Sequence, residues 1–181
     1  VILDAIALGM NIVSGLHEYL SNDPEIASTA DAAHVAIRDI RKPRPSKNMR
    51  LFDGSVARVK AIRIAVLGTD CAIGKRTTAT VLEKALNARG ITTVLVGTGQ
   101  TCLMQGAKYG IAMDAVPPQF CCGELERVVV AASVGEDPDV ILVGELRDAE
   151  TIMMAMTAAD RSGFCAIFTA LTSEGCSTVR R

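Results

Sequence analysis

The 181-residue sequence has few aromatic residues, almost no excess of charge and no long apolar segment. Aromatic residues make up 3% of the chain and tryptophan is absent, so aliphatic side chains and methionine must form the core, as in many parallel α/β proteins. The formal net charge of −1 argues against nucleic acid or an acidic membrane as the main partner. No apolar run could span a bilayer, and the N-terminus lacks a signal-peptide pattern. We therefore expect a cytoplasmic protein, without membrane insertion, whose anionic partner is small.

The first part of the chain alternates between helix and strand patterns. "LDAIALGM" predicts a helix and "NIVSGL" a strand, "SNDPEIASTADAAH" a helix capped by Asn22 or Asp23, and "VAIRDI" a second strand. The next segment, "RKPRPSKNMR", has two prolines and several basic residues, which is typical of an exposed linker. We expect an N-terminal α/β unit over 1–45, a linker over 46–58 and a main domain over 59–181.

The main domain shows strands alternating with helices. Apolar strands are predicted at "AIRIAVLG", "TTVLVGTG", "DVILVGE" and "FCAIFTAL", and helices at "KRTTATVLEKALNARG", "GELERVVVAASVG" and "DAETIMMAMTAADRSG". Strands and helices in this order require right-handed crossovers, which produce a parallel sheet covered by helices on both faces. The fold class is therefore α/β.

The stretch "GTDCAIGKRTT", residues 68–78, has the features of a phosphate-binding loop. It leads from a predicted strand into a predicted helix, whose N-terminus presents unpaired N–H groups and positive dipole to an anion. Gly68 and Gly74 allow the backbone to approach closely, and Lys75 supplies a charge for the phosphates. A tight turn with an incidental lysine is the alternative, which the strand, loop and helix order disfavours.

This loop departs from the common Walker A pattern in two ways. Five residues rather than four separate the glycines, which resembles dethiobiotin synthetase and related ATP-using enzymes, and Arg76 follows the lysine. The hydroxyl candidates for Mg²⁺ therefore move to Thr77, with Thr78 behind it. Asp70 is either a catalytic carboxylate or an Asx turn, and the sequence favours neither.

Residues 1–130 resemble a bacterial family of two-domain proteins with a Rossmann-like N-terminal part and a P-loop C-terminal domain. The resemblance rests on "LGMNIVSGLHEYLSNDPEI", "AVLGTDCAIGKRTTA", "VGTGQT", "YGIAMDAVP" and "GELE". The family is associated with D-glutamate N-acetyltransferase activity. It implies that ATP or acetyl-CoA phosphates contact the following residues: Gly68, Thr69, Gly74, Lys75, Arg76 and Thr77. It also implies that "GTGQT" and Asp114 line the substrate side, where Asp70 or Asp114 would act on the substrate amine.

Beyond residue 136 the chain resembles a different family. "GEDPDVILVGELRDAETIMMAMTAADRSG" is similar to the Walker B region of type IV pilus retraction and type II secretion ATPases. This similarity implies that Glu145 polarises the attacking water and contributes to the metal site, supported by Arg147 and Asp148. Those motors carry histidines where this chain has Phe164 and Leu171, which argues against a competent motor.

The two resemblances meet near residues 125–136, which indicates a junction between unlike P-loop parts. We expect a C-terminally truncated chain that binds a small phosphate-bearing ligand, most simply ATP with Mg²⁺, with weak hydrolysis or none. An acetyl-CoA-dependent N-acyltransferase acting on a D-amino acid is the alternative, and a non-functional chimeric fragment is a third. A homo-oligomer is compatible with each.

Overall fold

The computed structural model describes residues 1–68, 73–146, 164–172 and 175–179, with side chains over 1–68 and 73–144. The N-terminal unit is a two-stranded parallel sheet with two helices: α1 (Ile2–Ala7), β1 (Ile12–Ser14), α2 (Pro24–Ala32) and β2 (Ile37–Asp39). Ile6, Ala30 and Val35 form its small apolar core. The side chain of Asp23 accepts hydrogen bonds from two N–H groups of the first turn of α2, as its predicted capping role requires.

The main domain is a six-stranded sheet in the order β5-β4-β6-β3-β7-β8, parallel except for the last strand. Its elements are β3 (Ile62–Gly68), α3 (Lys75–Asn87), β4 (Thr93–Gly97), α4 (Gln100–Met104), β5 (Tyr109–Gly110), α5 (Pro118–Glu136), β6 (Val140–Leu146), β7 (Phe164–Thr172) and β8 (Gly175–Val179). The parallel α/β prediction is confirmed. The helix predicted at "DAETIMMAMTAADRSG" lies outside the described residues.

The central strands β3, β4 and β6 are almost continuously apolar, and the side chains described for them are mostly buried on both faces of the sheet. Alternate residues of β3 point to opposite faces: Ala65 and Leu67 pack in the cluster that includes α5, whereas Val66 packs in the cluster that includes Ala79 of α3. The sheet therefore lies between α3 and α5, and its carboxyl edge is the place where the loops converge.

The segment between the two units is fastened to α5. Buried Glu126 accepts hydrogen bonds from the N–H groups of Asp53 and Val56, at 3.0 and 2.9 Å. Buried Glu124 accepts one from the N–H of Arg50 at 3.0 Å. The predicted linker is mostly exposed, as expected, but its backbone is anchored at these points.

Candidate functional site

The phosphate-loop candidate begins and ends where the sequence predicts. Strand β3 ends at Gly68 and α3 begins at Lys75, with Gly74 as its N-cap at a φ of +85°. This left-handed conformation favours glycine, since a Cβ would be strained there. Thr69 and Asp70, two predicted site residues, lie outside the described residues.

Lys75 lies at the first position of α3 and is only 5% exposed. Burying an ammonium group is costly in an apolar environment, so such a position is uncommon without a functional or structural reason. Arg76, the next residue, is half-buried and donates to Oε1 of Gln105, just beyond α4. The structure thus keeps both cations at the carboxyl edge of the sheet.

The two hydroxyl candidates differ in exposure. Thr77 is exposed, whereas Thr78 is half-buried and its N–H donates to the Gly74 carbonyl at 2.8 Å. A magnesium role for Thr77 remains a prediction. Among the residues that the structure describes, no group of three or more His, Cys, Asp or Glu side chains could hold a metal ion.

Glu145 occupies an irregular position of β6, the strand between β3 and β4. Val66 of β3 pairs with Gly144, but the next residue, Leu67, pairs with Leu146, so the register shifts at Glu145. Bulges of this kind occur frequently beside active sites. The backbone of Glu145 therefore lies next to the strand that enters the phosphate loop, and its predicted catalytic role remains a prediction.

The ends of β4 and β6 are tied together beside Glu145. Thr98, which directly follows β4 and is almost completely buried, donates its hydroxyl to the carbonyl oxygen of Gly144. This bond fixes the "GTGQT" segment, predicted to line the substrate side, against the strand that carries Glu145.

Asp114 takes part in a cluster that joins the two units. Its Oδ2 accepts a hydrogen bond from Arg41 at 2.6 Å, and the same guanidinium donates to Oε1 of Gln100 at 3.0 Å. A second nitrogen of Arg41 lies 3.0 Å from Nδ1 of His17. Because a guanidinium has no acceptor, His17 Nδ1 must accept, which places the proton of a neutral imidazole on Nε2. We call these four residues the junction cluster.

The topology explains why these residues meet. His17 and Arg41 follow β1 and β2 of the small sheet, while Gln100 and Asp114 follow β4 and β5 of the large one. The carboxyl edges of two parallel sheets thus face each other, and this edge is where α/β proteins bind ligands. The sequence predicts Asp114 and the segment containing Gln100, but not His17 or Arg41.

Arg41 corrects one expectation. The run "RKPRPSKNMR" is predicted to be an exposed linker, yet the side chain of Arg41 is 6% exposed and ion-paired with Asp114, itself 49% exposed. Arg41 comes two residues after the end of β2, and this position is the sequence signal that could have placed it at the carboxyl edge of a sheet. The neighbouring prolines and charges mask that signal.

Three family models match parts of this chain. A model described as "Domain of unknown function (DUF1611_C) P-loop domain" matches residues 50–145, and "Domain of unknown function (DUF1611_N) Rossmann-like domain" matches residues 1–43. A third, "Type II/IV secretion system protein", matches residues 125–181. Both resemblances identified in the sequence are confirmed, and the models overlap within residues 125–145.

Individual relatives show the same division. A D-glutamate N-acetyltransferase of Tritonibacter scottomollicae is 35% identical over 126 residues, which is 70% of this chain and 36% of that protein. One of Pseudoalteromonas sp is 36% identical over 128 residues, 71% of this chain and 37% of that protein. The chain therefore spans about a third of the length of these relatives. The type IV pilus ATPase PilT of Pseudomonas aeruginosa is 46% identical over 50 residues, which is 28% of this chain and 14% of that protein.

A solved structure shares the fold. The crystal structure of a DUF1611 family protein from Anabaena variabilis superposes with a TM-score of 0.73 at 27% identity, covering 92% of this chain and 48% of that one. None of the described helices is long and apolar enough to cross a membrane.

Proposed function

The chain belongs to the DUF1611 family, and we propose that its P-loop domain binds the phosphates of a small-molecule ligand, with ATP as the first candidate. One observation carries the proposal: Gly74 in the left-handed conformation directly before Lys75, which is buried at the start of α3. A helix N-terminus, a permissive glycine and a lysine in this order form the usual cradle for phosphate oxygens.

The loop and the start of α3 contain the kinds of group that bind a nucleotide's phosphates. Lys75 and Arg76 supply positive charge, and the first N–H groups of α3 supply donors. Thr77 and Glu145 would hold Mg²⁺, which neutralises charge on the transferred phosphoryl group when bound. Phosphoryl transfer depends on exact positioning, and Arg76 displaces the hydroxyl from its usual place after the lysine. We therefore propose binding with slow hydrolysis at most.

A second candidate is an acetyl-CoA-dependent N-acyltransferase. It is supported by the names of the relatives from Tritonibacter scottomollicae and Pseudoalteromonas sp and by the junction cluster at the carboxyl edges of both sheets. In this reading the loop holds the phosphates of coenzyme A, and Asp70 or Asp114 acts on the amine of a D-amino acid. Both candidate functions use Lys75 to bind phosphate. They differ in the ligand that carries the phosphate, ATP or coenzyme A, and in whether an amine substrate binds beside it.

Calorimetric titration with Mg²⁺·ATP and with acetyl-CoA tests both candidates. The change is Lys75→Met, which keeps a long unbranched side chain while removing the charge. The matched control is Lys84→Met, at an exposed lysine of the same helix. Losing a charge-assisted contact of about 2–3 kcal/mol should weaken ATP binding roughly 30-fold to 150-fold. Lys84→Met should bind like the unmodified chain.

The outcomes separate the candidates. Acetyl-CoA binding that depends on Lys75, without ATP binding, would replace the first candidate by the second. If neither ligand binds, both fail and the chain is a chimeric fragment without a phosphate ligand. Equal affinity of the Lys75→Met variant would show that any binding occurs elsewhere.

A further inference from the structure

We propose that a second anion site lies in a cleft between the N-terminal unit and the P-loop domain, and that it takes a compact oxyanion: a small carboxylate or a single phosphate group. The cleft has a volume of about 260 Å³. One wall is the segment from Arg38 to Arg44, which continues β2, and the other combines the end of β5 with α5. No residue of the phosphate loop that the structure describes lines it.

The cleft is strongly basic. The positively charged side chains that line it are Arg38, Arg41, Lys42, Arg44 and Arg127. The only acidic residues lining it are Asp39 and Glu124, within the part of the chain that the structure describes. Charges of one sign focused between protein walls raise the local concentration of the opposite ion.

The two carboxylates are already engaged by the protein. Both oxygens of Asp39 accept N–H donors, from Leu20 at 3.1 Å and Ser21 at 2.9 Å. Glu124 accepts from Nε of Arg127 at 3.0 Å and from the N–H of Arg50 at 3.0 Å. Glu124 thereby offsets part of the charge of Arg127 and of Arg44, which lies 3.5 Å from it. Asp114 offsets part of the charge of Arg41. Five cations against three carboxylates still leave the cleft with an excess of positive charge.

Arg41 holds a fixed positive charge in this wall. The side chain of Arg41 is only 6% exposed, and its terminal nitrogens contact the other members of the junction cluster. These contacts hold the guanidinium of Arg41 at the cleft wall, where its charge adds to the potential that attracts an anion.

The size of the cleft selects the ligand. Pockets for drug-sized ligands have volumes of about 300–1,000 Å³, so this cleft is too small for a whole nucleotide. Guanidinium groups form paired hydrogen bonds with planar carboxylates and with phosphate, which makes both groups good matches. The site therefore differs in ligand size and location from the proposed phosphate loop.

Titration of the whole chain with malonate and, separately, with inorganic phosphate tests the proposal, with dissociation constants taken from amide shifts in NMR spectra. The changes are Arg38→Gln and Arg44→Gln, and the matched control is Arg89→Gln, an exposed arginine just beyond the C-terminal end of α3. Each cleft variant should weaken binding of the preferred anion about fivefold to tenfold, since each removes one positive charge on an exposed side chain, whose effect solvent and salt reduce. Arg89→Gln should leave it unchanged.

The result that would overturn the proposal is an anion affinity equal in all three variants, or no binding of either anion. Lys75→Met distinguishes this site from the loop: the cleft requires that malonate binding survive that change, and loss of all anion binding would assign it to the loop instead. Failure of ATP and acetyl-CoA to bind would remove the proposed function and leave this result untouched.

Discussion

Helices α3 and α5 pack on opposite faces of the same sheet, and both bury charge, but in different ways. Helix α3 buries one cation, Lys75, at its N-terminus beside the loop. Helix α5 buries two carboxylates within its length, Glu124 at 1% exposure and Glu126 at 5%. We propose that the first serves a ligand. The second pair serves the protein itself, because its oxygens accept donors from the anchored segment.

The α5 arrangement also requires the absence of a side chain. A Cβ on Gly123 would lie 2.1 Å from the carbonyl oxygen of Arg50 and 2.4 Å from the carbonyl carbon of Leu51. The motif "GELE" therefore combines a glycine that admits the segment with two glutamates that bind its N–H groups. Buried charge in this fold can therefore mark either a ligand site, as we propose for Lys75, or an internal anchor.

The largest expected effect comes from breaking the α5 anchor. Glu126→Ala leaves the N–H groups of Asp53 and Val56 without their acceptor, and should lower the free energy of unfolding by about 3 kcal/mol in urea denaturation. Glu126→Gln retains one acceptor oxygen and should lose about half as much. Equal stability of the alanine variant and the unmodified chain would contradict the anchor.

A smaller loss is expected from filling the contact space. Gly123→Ala places a methyl group against the backbone of Arg50, and overpacking of this kind should cost about 2 kcal/mol after the gain in helix propensity. Gly135→Ala, in the same helix, meets the hydroxyl of Tyr109, the tip of a side chain that can move. Its thermal midpoint should change less. Equal thermal midpoints for the two variants would show that the backbone near Arg50 moves to accommodate the added methyl group.

The difference between α3 and α5 also explains what could be predicted from sequence. Strands β3, β4 and β6 and the start of α3 follow from local apolar runs and glycines. The contacts of Arg41 could not be predicted, because its partners lie 24, 59 and 73 residues away. The backbone N–H groups that donate to Glu124 and Glu126 are likewise 70 to 74 residues distant. No local periodicity encodes such pairs, and a basic, proline-rich segment gives no sign that its backbone is bound.

Replacing Lys75 should affect the free energy of unfolding less than replacing the buried glutamates of α5. If its charge serves mainly a ligand, Lys75→Met should lower the unfolding free energy by less than Glu126→Ala does, because relief from burying an ammonium group offsets part of any contact that is lost. Urea denaturation without ligand measures this. A loss as large as that of Glu126→Ala would make Lys75 a structural anchor like those of α5.

The smallest effect is expected at the C-terminal end of α5, where charge is exposed. Lys108 forms an ion pair with Glu136, whose Oε1 also accepts from the Tyr109 hydroxyl at 3.2 Å. The hydrogen bond and the charge of Lys108 lower the pKa of Glu136, and the same partner raises the pKa of Lys108. Exposed pairs contribute little because solvent and salt screen them.

The direction with pH follows from these pKa shifts. The lowered pKa of Glu136 gives stability above its unfolded-state pKa that is lost as pH falls through the folded value. The raised pKa of Lys108 gives stability below its unfolded-state pKa that is lost as pH rises through the folded value. Glu136→Gln should therefore lower the thermal midpoint slightly at pH 7, and the difference should shrink as pH falls below the ordinary glutamate pKa of about 4.3 and vanish below the lowered folded-state value. A double-mutant cycle with Lys108→Met isolates the pair. A coupling that persists at low pH or in 1 M salt would show that packing, rather than charge, joins the two side chains, and that even this end of α5 resembles its buried anchor.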